Sequence, residues 1–187
     1  MEKELKDLLL KTLYSTILII IAVVILSFFL KQPITEFSKH FIDYFGVIGV
    51  GIGILICDSV PALMVPDAFL MFAVASELDD FQVISLASIG SIIGGSISYY
   101  LGRNIFPKFK FAKNLLEKHE EKLSPYVEKY GIWAVVLAAT TPLPYSWMAI
   151  VVGSLKMPFR NFLLGSIARI PRFAVYFYAF KLGWLSS

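Results

Sequence analysis

Apolar residues in this chain gather into long uncharged runs parted by short polar stretches. Thr12 to Leu30 is uncharged for 19 residues, Phe81 to Gly102 for 22, and Tyr130 to Leu155 for 26. The longest run carries Thr140-Thr-Pro-Leu-Pro144 at its centre. Each proline removes a backbone donor and turns the preceding residue, Thr141 or Leu143, away from the α conformation. The flanking pieces are therefore half-helices of roughly 18 Å, at 1.5 Å per residue. A hydrocarbon core is about 30 Å thick, so neither piece crosses it alone. Two readings fit: one proline-kinked spanning helix, or a re-entrant hairpin whose non-helical tip is enclosed by protein or a watery cavity.

A second copy favours the hairpin. Val65 to Tyr100 resembles Leu143 to Tyr178 at a constant offset of 78, aligning Pro66 with Pro144, Ser76 with Ser154, Phe81 with Phe159 and Ser88-Ile89 with Ser166-Ile167. Upstream of it, Asp58-Ser-Val-Pro-Ala-Leu-Met-Val-Pro-Asp67 again sets two prolines, Pro61 and Pro66, within apolar sequence. Paired, proline-interrupted short apolar segments point to a transporter site at a repeat interface.

The expected architecture is an all-α membrane protein. It is an inverted repeat with two opposed re-entrant helical hairpins, about three full transmembrane helices and amphipathic interfacial helices. One polytopic domain fills 1–187. Residues 1–44 hold a surface prefix (Met1–Lys11), a first span (Leu13–Leu30) and an interfacial helix (Lys31–Asp43). Repeat one covers 45–102, with a hairpin at Phe45–Ser76 and a span at Phe81–Gly102. An amphipathic connector covers 103–129. Repeat two covers 130–187, with a hairpin at Tyr130–Leu155 and a last span at Asn161–Gly183. The first span is longer than a signal-peptide core and ends without a small-residue cleavage site, so it stays on the protein.

Composition supports a membrane setting: 57% of residues are hydrophobic and 15% aromatic, above the apolar share of soluble domains. Charge sets the orientation. Of 17 lysines and arginines, only Lys31, Lys39 and Lys181 fall on the proposed outer side, and Arg169 and Arg172 lie inside the last span. The remaining twelve put the N-terminus in the cytoplasm, the C-terminus outside, and the hairpins on opposite faces. With no organelle-targeting pattern, the expected location is a prokaryotic plasma membrane. Cys57 is the only cysteine, so there is no internal disulfide or cysteine-built metal site. His40 and His119 are read as solvated, and no nucleotide-binding or zinc-protease motif is present. No cofactor, no metal and no nucleic-acid partner are expected, nor an enzymatic activity.

Four ionisable residues lie deep in apolar sequence: Asp58 and Asp67 around the first tip, Arg169 and Arg172 around Pro171. Such charges are functional-site candidates by default. The two arginines, three apart, share a helix face, and a carboxylate pair opposite them invites mutual neutralisation. Against this, Asp67 stands where a helix N-cap would. Gly90, Gly94 and Ser98, with Ala87, Ser91 and Gly95, form a small-residue face read as helix packing. Tyr14, Tyr44, Tyr99, Tyr100 and Trp184 suit an interfacial belt. Trp147, near the second tip, fits a lipid path or core packing equally.

The segments Val60-Pro-Ala…Val65-Pro-Asp67, Ser88-Ile-Gly-Ser-Ile-Ile-Gly-Gly…Tyr99-Tyr-Leu-Gly-Arg103 and Thr141-Pro-Leu-Pro…Val152-Gly-Ser-Leu-Lys-Met-Pro…Phe162, followed by Arg169 and Arg172, resemble the DedA (SNARE-associated, VTT-domain) superfamily. The resemblance runs from about Phe45 to Gly183. It implies opposed re-entrant hairpins and movement of lipid across the bilayer. In bacteria that means recycling of undecaprenyl phosphate or flipping of phospholipid, often coupled to protons; eukaryotic relatives scramble phospholipid. The family's acidic hairpin residues map onto Asp58 and Asp67. Many members carry a Gly-Arg-Phe/Pro-type motif before the second hairpin, where this chain has Ala138-Ala-Thr-Thr-Pro. That departure marks a divergent subgroup with arginines only in the final span.

The expected function is a lipid transporter or flippase moving an anionic head group, polyprenyl phosphate or phospholipid, with a proton or sodium ion as the coupling partner. Asp58 and Asp67 would take the ion, and Arg169 and Arg172 the phosphate. Thr140, Thr141 and the tip prolines Pro61, Pro66, Pro142 and Pro144 would shape the site. A homo-oligomer is compatible. The rival readings are a small-ion or solute antiporter and a non-transporting assembly factor.

Overall fold

Proline cuts each interrupted segment into two short helices. The computed structural model describes residues 44–60, 66–108, 110–141 and 144–185. In chain order the helices are α1 (Tyr44–Ser59), α2 (Asp67–Ala75), α3 (Asp80–Tyr100), α4 (Lys110–Tyr130), α5 (Ile132–Thr140), α6 (Tyr145–Ser154), α7 (Phe159–Ser166) and α8 (Arg169–Leu185). No strand occurs among the described residues, so the protein is all-α there. The prefix, the first span, the interfacial helix, Tyr14, His40, Pro61 and Pro142 lie outside the described residues.

Helices α2, α5 and α6 have 9, 9 and 10 residues, or about 14–15 Å each. Thr141 ends α5 in an extended conformation (φ −105°, ψ 168°), as a residue before proline must. Pro66, at φ −58°, leads into α2, where a missing N–H costs nothing. The returning helices α2 and α6 then end in the same turn. Amides of Ser76, Glu77 and Leu78 donate to Phe72, Val74 and Ala73; those of Leu155, Lys156 and Met157 donate to Val151, Gly153 and Val152. Glu77 (φ 54°) and Lys156 (φ 57°) are both left-handed, the usual device for stopping a helix. These turns match at an offset of 79, whereas the prolines match at 78, because α6 is one residue longer. The returning helix and its stopping turn thus recur in the backbone, with a one-residue slip from the offset of 78 at the turn itself. Beyond it Arg103 over Tyr99 and Lys181 over Phe177 correspond again at 78.

The repeats exchange partners. Helix α3 of the first packs on α6 of the second, and α8 of the second packs on α2 of the first. Small residues on α3 and in the turn directly after it permit both its contacts. A Cβ on Gly90 would lie 2.2 Å from the carbonyl oxygen of Gly51 in α1, and one on Gly102 would lie 2.0 Å from that of Ile150 in α6. Gly153 returns the approach, its Cβ position lying 2.1 Å from the Tyr99 carbonyl oxygen. At its C-terminal end α3 grips the turn after α6: the Tyr99 hydroxyl donates to Met157 O, and Arg103 donates to that hydroxyl. At the opposite end Lys181 of α8 pairs with Asp80 at 2.6 Å, beside the turn after α2. The two hairpin turns thus lie at opposite ends of α3. Tyr99 is fully buried, so it is a core clamp rather than part of an interfacial belt.

Helix α3 continues through a π-helical turn (Leu101–Ile105) and a 3-10 turn (Phe106–Lys108). With them it forms the one helix among the described residues long and apolar enough to cross a membrane, by length and composition. The last span is not one continuous rod. It breaks between α7 and α8 at Ile167–Ala168, because Pro171 has no N–H for the Ile167 carbonyl and its ring crowds that group. The carbonyl turns instead to Ile170 N, at 3.0 Å. The connector is helical as expected; Leu116 and Val127 of α4 join the core formed with α5, α6 and Phe162. His119 is not solitary: it stacks on Trp147 of α6, with ring centres 3.6 Å apart, which gives Trp147 a packing partner.

Candidate functional site

The four deep charges meet where the inner ends of the hairpins reach the break between α7 and α8. Asp58 comes from the last turn of α1, Asp67 opens α2, and Arg169 and Arg172 occupy the first turn of α8. A cation at a helix N-terminus opposes the helix dipole, so the arginines need other partners to remain there. They have them. Arg169 forms a salt bridge with Asp58, and Arg172 pairs with Asp67 at 2.8 Å. Two carboxylates and two guanidinium groups neutralise one another across the repeats, as burial of charge demands.

Asp58 and Arg169 are sealed, at 3% and 1% exposure. Ser91 of α3 closes the pair: its hydroxyl accepts from Arg169 Nε at 2.6 Å and donates to Asp58 Oδ2 at 2.5 Å. Ser98, two turns on, donates to the Asp58 and Ser59 carbonyl oxygens at 2.7 and 3.0 Å. Those carbonyls belong to the end of α1, where intrahelical donors run out. The second hairpin reaches the cluster through Tyr145, the first residue of α6. Its ring lies 4.3 Å from the Arg169 guanidinium carbon, within cation–π range. Its hydroxyl donates to Ser166 Oγ at 2.8 Å, so one arginine touches both hairpins and α3.

Asp67 does not cap α2; its side chain makes no cap hydrogen bond, and its carboxylate is turned to Arg172 instead. The Thr140 hydroxyl donates to Val136 O at 2.9 Å, back into its own helix, and makes no part of the charge cluster. Thr141 is buried beyond the end of α5. Pro66 and Pro144 stand directly before α2 and α6, and so fix where Asp67 and Tyr145 begin. Ser91 and Tyr145 complete the site, although the sequence marks neither as a partner of the charges. A signal existed: the offset of 78 carries Ser91 onto Arg169 and Asp67 onto Tyr145. The two returning helices each begin with a residue that holds an arginine, by charge in one and by its ring in the other. Among the described residues no group of His, Cys, Asp and Glu could hold a metal ion.

The site thus sits in an all-α, repeat-exchanged helical core, with paired charges at the junction of two broken segments. The VTT domain family model matches residues 65–182. The chain belongs to that family, the DedA proteins, which are membrane proteins generally tied to transport. An uncharacterized protein of Methanocaldococcus jannaschii is 29% identical over 139 residues, covering 72% of this chain and 80% of its own. An uncharacterized protein of Haemophilus influenzae is 26% identical over 145 residues, 74% of this chain and 72% of its own. One from Histophilus somni shares 38% over 58 residues, 30% of each. No solved structure matches the chain. Asp58 and all of α1 precede the matched residues, so the sealed ion pair joins the family's domain to a helix outside the match.

Proposed function

We propose that this protein is a lipid transporter, not an enzyme, which moves an anionic polyprenyl-phosphate or phospholipid head group across a prokaryotic plasma membrane. In this reading α1–α2 and α5–α6 are re-entrant hairpins entering from opposite leaflets, with the N-terminus cytoplasmic. The observation that carries it is the neutral cluster of Asp58, Arg169, Asp67 and Arg172 at the junction of the broken segments. A guanidinium group released from its carboxylate is a phosphate ligand. Protonation of Asp58, or sodium bound there, cancels the carboxylate charge and frees Arg169 for a phosphate, so the buried charge stays balanced. Cation and anionic head group then travel on one stoichiometry. Paired prolines at corresponding places support the same reading.

The test is a head-group-resolved flipping assay on purified protein in liposomes, with and without a pH gradient. Lipid movement above protein-free vesicles, altered by the gradient and lost in Asp58→Asn and Arg169→Gln, is the expected result. Unchanged movement in both variants defeats the site assignment. Proton or sodium flux without lipid movement replaces the reading with an ion antiporter.

A further inference from the structure

The Asp67–Arg172 pair is unfinished in a way its neighbour is not. It is joined by a single hydrogen bond, Nη2 to Oδ2, and leaves two buried polar atoms, Asp67 Oδ1 and Arg172 Nε, without a hydrogen-bond partner. Buried donors and acceptors are almost always satisfied, and an unmade one is costly. The arginine is held in place: its side chain is 5% exposed, and its guanidinium carbon lies 4.8 Å from the Tyr176 ring. The Asp58–Arg169 pair shows what completes such an arrangement. There one group, the Ser91 hydroxyl, accepts from the arginine Nε and donates to the aspartate. No described side chain does this for Arg172 and Asp67.

We propose that Asp67 and Arg172 form a head-group subsite for a phosphoryl group that brings its own hydrogen-bond donor, an inference that rests on the transport reading above. A phosphoryl oxygen accepts from Arg172 Nε, and a P–OH or an ammonium N–H donates to Asp67 Oδ1. Two kinds of lipid carry that chemistry: phosphate monoesters and phosphodiesters with a primary amine. A trimethylammonium phosphodiester has the acceptor but no donor, and leaves the Asp67 oxygen bare.

The experiment measures binding to the full chain in detergent by thermal shift, with three short-chain probes: a prenyl monophosphate, a phosphoethanolamine lipid and its phosphocholine counterpart. One or both of the first two should bind about tenfold more tightly than the third, the cost of one unsatisfied buried group. Comparing the two binders separates the monoester from the amine as source. Asp67→Asn should erase the preference and Arg172→Lys should weaken every probe. Equal binding of phosphocholine by the wild-type protein, or no binding of any probe, overturns the proposal without requiring a variant to fold. Flipping of the same lipids is scored separately. Selective binding without flipping sinks transport and spares the subsite; flipping without selectivity does the reverse.

Discussion

At the residue scale the cluster is a set of debts that specific partners settle. Ser91→Ala removes a donor to Asp58 and an acceptor for Arg169 while leaving both charges buried. It should lower stability by about 2 kcal/mol, since hydrogen bonds to charged groups are the stronger ones; detergent-solubilised thermal or denaturant unfolding checks it. Asp58→Ala leaves Arg169 unpaired in a sealed site and should cost about 3–5 kcal/mol. The double variant Asp58→Ala/Arg169→Met should recover most of that loss, because an apolar replacement strands no charge. If the double variant is no more stable than Asp58→Ala, a stranded Arg169 charge is not the source of the loss. Transport defects in alanine variants at these positions therefore mix chemistry with folding, which is why amide replacements such as Asp58→Asn make the cleaner functional probe. The four charges were legible in the sequence because an ionisable residue in apolar sequence stands out. Ser91 was not, because a serine amid Gly90, Gly94 and Gly95 reads as one more small packing residue, and only the fold shows its hydroxyl between two charges.

At the scale of elements, proline placement was legible and its consequence for the last span was not. Apolar patterning joins Asn161 to Gly183 into one segment, and nothing in composition separates Pro171 at a mild kink from Pro171 at a break. The backbone decides: the Ile167 carbonyl is claimed by Ile170, and α8 restarts with both arginines in its first turn. Pro171→Ala restores an N–H that can donate to the Ile167 carbonyl and should straighten α7 into α8. Helical content, read by circular dichroism, should stay level or rise, while translocation falls at least tenfold as Arg169 and Arg172 swing away from their carboxylates. Wild-type transport in that variant would show that the break does not position the arginines. The glycine contacts make a second case. Gly102→Val pushes a side chain into the backbone of α6, where a Cβ would already sit 2.0 Å from the Ile150 carbonyl oxygen. The cost expected is about 1–3 kcal/mol of overpacking, read as a lower melting temperature. Gly131→Ala, where no atom lies within 4 Å of the added Cβ, meets only backbone strain at φ 55° and should cost less.

For the whole molecule, exchange of partners between the repeats makes the two ends equivalent in design and opposite in position. Arg103, after α3, reaches the turn following α6; Lys181, its counterpart at an offset of 78, reaches the turn following α2. Helix α3 and the α7–α8 segment thus run antiparallel between the same two turns, which is what opposed hairpins require. If α3 spans the bilayer, the turn at 76–79 and the connector α4 face different compartments. Glu77 and Glu121 are exposed on these two parts, and Cys57 is buried, so a native thiol gives no background to a membrane-impermeant maleimide. Glu77→Cys, which replaces one left-handed residue bearing a Cβ by another, should be labelled from outside intact cells. Glu121→Cys should react only in inverted vesicles, because the excess of lysine and arginine lies on its side. Labelling of both from one side would leave α3 unable to cross the membrane. It would also collapse the geometry in which the paired charges lie midway between two faces, and with it the route by which a head group passes them.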